Sequence, residues 1–222
     1  MNGYRPHSYI PNTARMLNIG DVATSDHLGF SISNSVAVIK VPDEVHSALM
    51  DDCLEWASGS DRPLFSGAVT QWIACLNGEE DVKLHQFREV SPGYITTTED
   101  TEGKFIGLHL DNWDGRELLA RGAARNRLCI NIGPSARHLL IVPYTVRRVL
   151  QTNAPSIELA HSQFKDWLFG FQPSIPVFWV RIDPGYAYIA PTENVVHDGS
   201  SWGQMDCSIV LTALGRFKPP LW

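Results

Sequence analysis

The sequence predicts a mainly β protein with flanking helices, built as an antiparallel sandwich or barrel in one domain. Three observations predict it. Between residues 104 and 217 the chain breaks into about seven short runs rich in β-branched and aromatic residues, each bounded by Pro, Gly or Asp. Helical spacing is confined to a few separate stretches. The length of 222 residues suits a single core of this kind.

The elements follow in order. Residues 1–103 mix short strands and helices. "SVAVIKV" (35–41) reads as a buried strand, because apolar β-branched residues recur with little polar interruption. "PDEVHSALMDDCLEWASG" reads as a helix capped by Asp43, with Val45, Leu49, Cys53 and Trp56 on one face. "LFSGAVTQWIACLNG" is a second helix ended by Asn77-Gly78. "SPGYITTTED" (91–100) has strand character with alternating hydroxyls, and "KFIGLHL" is a strand. "RLCINIG" (127–133) and "RHLLIVPY" (137–144) form two strands joined by a tight turn at "GPSA". Residues 156–170 carry helical spacing in Leu159, Phe164, Trp167 and Leu168, with Ser156 as cap. "PVFWVRI", "YAYIAP", "ENVVH" and "DCSIVLTALGRF" complete the strands.

Composition narrows the function classes. A hydrophobic content of 44% against 19% charged residues describes a folded soluble chain rather than a disordered one. The net charge of −6 supplies no attraction for nucleic acid or an anionic membrane. Cysteines at 53, 75, 129 and 207 form no close pair, so reduced buried thiols are expected rather than a zinc ribbon or a disulfide scaffold. The first residues lack the apolar stretch of a signal peptide, and no apolar run reaches the roughly 20 residues of a membrane span. A cytoplasmic protein is expected.

The chemistry concentrates in "GLHLDNWDG" (107–115), where His109 and Asp111 are spaced by one residue at a strand end and so face the same way. The simplest use of such a pair is a mutual hydrogen bond. The other use is a metal. Of the remaining histidines, His7 and His27 lie in polar surroundings, His46 and His161 in expected helices, and His85 and His138 near strand ends. His197 differs, because it closes "PGYAYIAPTENVVHDG", a strand launched by a Pro-Gly turn. Two imidazoles and one carboxylate, His109, Asp111 and His197, make the facial set that suits Fe(II) and leaves positions open.

The order H-x-D on a strand, a strand hairpin, a helical insert and a Pro-Gly strand ending in His resembles the Fe(II)/2-oxoglutarate-dependent dioxygenases. The likeness covers residues 104–217. It implies a double-stranded β-helix, or cupin-like jelly roll, over that range, with residues 1–103 as buttress. It implies Fe(II) held by His109, Asp111 and His197, 2-oxoglutarate as co-substrate, and O₂ as oxidant. Related halogenases replace the carboxylate by Gly or Ala; Asp111 leaves no such vacancy, so hydroxylation or a related oxidation is implied.

The chain departs from the family at one place. Most members carry an Arg about ten residues after the second histidine, whereas "DCSIVLT" offers only the hydroxyls of Ser208 and Thr212. A buried dianion still needs a cation. Arg137, six residues before Pro143, matches the basic anchor of the asparaginyl-hydroxylase and JmjC-like branch. Arg127 is the second candidate, with Asn131 on its face, and Arg216 the third. The expected substrate is a small metabolite or natural-product intermediate, met by Tyr94, Thr96, Thr98, Asn112, Trp113 and Asp114. Two other classes stay open: a cupin-type metal enzyme without 2-oxoglutarate, either a hydrolase or isomerase using Zn²⁺ or Mn²⁺ or an oxygenase that binds its substrate directly to iron, and a non-enzymatic β-sandwich binding module.

Overall fold

Two facing sheets organise the computed structural model, which describes residues 3–11, 16–18, 36–59, 65–77, 81–85, 87–153 and 159–218. The larger sheet runs β3 (Ala37–Lys40), β10 (Tyr186–Ala190), β7 (Asn126–Asn131), β12 (Ser208–Gly215) and β4 (Lys83–Leu84), with β5 (Arg88–Val90) also paired to β12. The smaller runs β11 (Val195–Ser200), β8 (Arg137–Thr145), β9 (Val177–Ile182) and β2 (Met16–Asn18). A parallel pair, β1 (Tyr4–Tyr9) with β6 (Phe105–Gly107), stands beside them.

The pairings are nested. β8 pairs β9, β7 pairs β10, His109 pairs His197, and β5 pairs β12, all antiparallel. This is one long ribbon folded over on itself, the double-stranded β-helix. Residues before 104 contribute β2 to β5 directly to the two sheets.

Alternation along each strand sorts the side chains into three layers. On β7, Leu128 and Ile130 turn outward to α1 (Asp43–Ala57) and α2 (Gly67–Asn77), which cover the larger sheet with Val45, Leu49, Val69 and Ile73. On β8, Leu140 and Val142 turn outward to α3 (Val146–Asn153) and α4 (His161–Phe171), which contribute Val149, Leu150, Phe164 and Leu168. Between the sheets Leu139, Ile141, Phe178, Val180, Ile182, Val195 and Val210 form the inner layer. Each such fully buried aliphatic or aromatic chain contributes about 1.5–3 kcal/mol. The inner layer closes one end of the barrel and leaves polar side chains at the other.

Several expectations are corrected. Pro42, not Asp43, is the N-cap of α1; Asp43 occupies the first turn and pairs with Lys40 at 2.9 Å, where a carboxylate favours the positive end of the helix. Residues 91–100 do not form a strand beyond a single bridge at Glu99. Thr98 N–H donates to the Asp198 carboxylate at 3.1 Å rather than to a strand ladder, and Thr97 N–H is shared between Gly199 O at 3.0 Å and the same carboxylate at 3.4 Å. α4 starts at His161 rather than 156, and α3 was not anticipated. Cys53 and Cys129 are buried, but Cys75 is exposed. His27, Gly78 and Ser156 lie outside the described residues. No helix among the described residues is long and apolar enough to cross a membrane.

Candidate metal centre

The site begins at Gly107, whose φ of +69° turns the chain beside β1. A Cβ there would stand 2.5 Å from Tyr9 O, so only glycine permits the approach. Beyond the turn His109 exchanges two backbone hydrogen bonds with His197: its N–H donates to His197 O at 3.0 Å and its carbonyl accepts from His197 N–H at 2.8 Å. Residues opposed in this way present their side chains on one face. Asp111, two residues on, shares the face, and its N–H donates to Thr192 O at 3.1 Å. Strand register thus brings together residues 88 positions apart.

One donor atom from each of His109, Asp111 and His197 lies within 4.8 Å of the other two. His109 Nε2 is 3.6 Å from Asp111 Oδ1, and His197 Nε2 is 3.7 Å from Asp111 Oδ2. The Nδ1 atoms face carbonyls, Gly107 O at 3.0 Å and Val195 O at 3.2 Å. Each Nδ1 therefore donates, which leaves both Nε2 lone pairs for a cation. His197 Nε2 is buried with no hydrogen-bond partner among the described residues, the mark of a ligand atom awaiting a Lewis acid. The donor set fits the group it would hold.

The electrostatics differ among the three side chains. Burial pushes the His197 imidazole down to about 3, so the ring is neutral at physiological pH. Burial also opposes charge on His109, but the neighbouring carboxylates of Asp111 and Asp198 outweigh it and raise the ring above its ordinary value. Burial works against the Asp111 carboxylate too; Arg127, with the two imidazoles behind it, holds it well below the usual carboxylate range. Arg127 Nη2 lies 2.7 Å from Asp111 Oδ2.

Beside the triad lies a cavity of about 340 Å³. Asp111, His197, Arg127, Arg137 and Tyr188 line it, with Thr98, Trp113 and Thr212. Arg137 is buried, and its Nε and Nη1 have no hydrogen-bond partner among the described residues. An unmatched buried guanidinium lining a cavity is a place for an anion.

The other sequence candidates lie elsewhere. Asn131 uses its amide to donate to Ser135 O at 2.9 Å and Ile182 O at 3.0 Å, closing two turns. Ser208 is buried in β12 opposite Val90 and does not line the cavity. Arg216 is exposed beyond the end of β12. Tyr94 packs on Phe105 with ring centres 4.7 Å apart, and Thr96 donates to the Tyr4 hydroxyl at 3.2 Å. Asn112 accepts from Arg121, and Asp114 is paired with Arg125 at 2.6 Å.

Three supporting residues escaped the sequence reading. Buried Arg121 donates to Asp111 O at 2.6 Å, Glu193 O at 2.9 Å and Asn112 Oδ1 at 2.6 Å, tying Asp111 to the turn that precedes β11. Asp198, next to His197, pins Thr97 and Thr98 through Oδ1, while its Oδ2 sits 3.8 Å from His109 Nδ1. Gly199 leaves the space that Arg137 Nη2 and Thr97 Oγ1 occupy. The adjacency of Asp198 and Gly199 to His197 was the only available signal; Arg121 had none.

No family model matches the chain, and no curated protein matches it. Solved structures do. An iron and alpha-ketoglutarate-dependent endoperoxidase, NvfI, aligns at 11% identity and TM-score 0.37, over 84% of this chain and 80% of that one. AviO1 from Streptomyces viridochromogenes Tue57 aligns at 14% identity and TM-score 0.43, over 85% and 93%. The Kdo hydroxylase KdoO, a non-heme Fe(II) alphaketoglutarate-dependent dioxygenase crystallised with cobalt(II), aligns at 15% identity and TM-score 0.41, over 80% and 65%. At such values the assignment of the fold rests on the nested strand pairing above, and that of the chemistry on the three donor side chains.

Proposed function

We propose that the chain is an Fe(II)- and 2-oxoglutarate-dependent oxygenase that oxidises an unactivated C–H bond of a small molecule. One observation carries the reading: two Nε2 atoms and a carboxylate converge beside a cavity that holds a buried, unmatched arginine. His109, Asp111 and His197 would hold the metal, and Arg137 the distal carboxylate of 2-oxoglutarate, with Arg127 as the second cation. Bound together, iron and 2-oxoglutarate supply the activation of O₂. The net reaction is R–H + 2-oxoglutarate + O₂ → R–OH + succinate + CO₂.

The protein's own share is positioning. Backbone pairing of residues 109 and 197 fixes both imidazoles, and the carbonyls of Gly107 and Val195 fix their tautomers. Arg127 Nη2, 2.7 Å from Asp111 Oδ2, restrains the carboxylate that would help hold the metal. Val210, Tyr188 and Cys129 supply the less polar cavity wall that limits water. Anaerobic addition of Fe(II) and then 2-oxoglutarate tests the reading. It predicts the weak visible charge-transfer absorption of an Fe(II)–keto-acid chelate, and slow succinate release in air. Neither signal from folded protein would remove 2-oxoglutarate from the account.

A further inference from the structure

A second cavity, of about 390 Å³, reaches the triad from the side of His109. Asp111 and His197 line the first cavity and His109 this one, so the centre lies between them. Its walls come from β1 and from the first turns of α4: Arg5, His7, His161, Lys165 and Asp166, with His109 at the inner end. Besides His109 these five side chains supply two full cations, two imidazoles and, against them, the carboxylate of Asp166.

That carboxylate does not satisfy the basic groups. Lys165 Nζ lies 3.8 Å from Asp166 Oδ1 and donates at 3.3 Å to His7 O, while Arg5 Nε is 3.5 Å from a different carboxylate, Asp100 Oδ2. His161 Nδ1 is buried and has no hydrogen-bond partner among the described residues. His161 opens α4, an eleven-residue helix with no acidic residue in its first turn, so the positive end of the helix dipole stands unopposed here. His7 also has a φ of 63°, the one positive value at a non-glycine residue among those described. Strained backbone held in this way concentrates where a ligand is gripped.

We propose that this cavity holds the substrate, and that the substrate is a small molecule carrying an oxyanion, a carboxylate or a phosphate. The oxyanion sits against Lys165, His161 and Arg5, and the oxidised carbon points to the His109 side of the centre. The proposal rests on the oxygenase reading for its second half, but the anion site stands on its own residues. It divides the labour between the cavities, with the co-substrate among the arginines of the first and the substrate among the basic groups of the second.

Calorimetric titration of inorganic phosphate, and separately of acetate, into the full chain loaded with Co(II) and 2-oxoglutarate tests it. At least one anion binds saturably in the millimolar range or below, and which of them binds more tightly separates phosphate from carboxylate. Lys165→Met weakens that binding at least tenfold, and Asp166→Asn, which removes the opposing charge, tightens it severalfold. Both variants keep wild-type Co(II) and 2-oxoglutarate affinities, which shows that they fold. No saturable anion binding, or binding indifferent to both substitutions, overturns the proposal. If Co(II) or 2-oxoglutarate fails to load, the oxygenase reading fails instead, and the same anion titrations on the unloaded chain still decide the site.

Discussion

Replacing Arg137 by methionine separates function from stability. Arg137 is 5% exposed, and two of its nitrogens, Nε and Nη1, are buried without partners. Each unmatched buried donor costs about 1–3 kcal/mol, and a buried cation replaced by an apolar chain of similar length is often neutral or stabilising by about 1–4 kcal/mol. The ligand-free Arg137→Met protein should therefore be as stable as the wild type or more stable by about 1–3 kcal/mol in urea unfolding. Co-substrate binding moves the other way. Leaving a buried carboxylate without its charged partner costs about 2–5 kcal/mol, which is roughly a 30-fold to several-thousand-fold loss of 2-oxoglutarate affinity. Anaerobic calorimetry on metal-loaded protein reads that loss directly. A variant less stable than wild type that binds 2-oxoglutarate normally would refute the reasoning, because Arg137 would then be a structural ion rather than an anchor.

Three further outcomes follow from neighbouring residues. Gly199→Ala places a Cβ 2.6 Å from Thr97 Oγ1 and in overlap with Arg137 Nη2, so 2-oxoglutarate binding should weaken about tenfold or more while metal affinity changes little; calorimetry on the variant checks both. Arg121→Met strips donors from Asp111 O, Glu193 O and Asn112 Oδ1. It should cost about 3–5 kcal/mol of stability and about 10–100-fold in metal affinity, measured by urea unfolding and by metal competition with a chelator. His138 is held down to about 4 from an ordinary 6.5, by burial first and then by Arg181 and Arg137. Its folded value lies below its unfolded one, so the unfolded chain binds the extra proton and stability falls as pH drops from about 6.5 towards 4, by up to about 3 kcal/mol in all. In His138→Gln that part of the pH dependence of unfolding should be gone.

How much of this was legible in the sequence depends on the range of the interaction. His109 and Asp111 were legible because a spacing of two in a strand fixes a common face whatever the rest of the chain does. His197 was legible from its place at the end of a strand launched by Pro184 and Gly185. Arg137 came from its spacing to Pro143, which the family resemblance singled out, and Arg127 from its place on the face of β7 that carries Asn131; in the structure both line the cavity, on the parity opposite to Leu128 and Leu140 under the helices. The rest depends on contacts that no local pattern records. Arg121 donates mainly to backbone carbonyls, and any residue type can supply those. The run of threonines at 96–98 has β propensity, yet the Asp198 side chain takes the Thr98 N–H that would have extended a ladder. His161 read as an ordinary helical residue because the helix was placed five residues too early; starting at 161, the same histidine becomes the lip of a cavity. Ser208 and Asn131 share the inward parity of their strands but do not line the cavity, and the Asn131 amide is spent on Ser135 O and Ile182 O, a distinction that periodicity does not make.

The centre itself is tested most directly by anaerobic titration with Co(II), followed through the metal's visible absorption, on wild type and on His197→Ala. The wild-type chain should take up one equivalent with a sharp end point. The variant should lose at least a hundredfold in affinity while keeping its fold by circular dichroism. Uptake by His197→Ala at wild-type affinity, or no uptake by the wild type at all, would mean that the imidazole facing Asp111 is not a ligand.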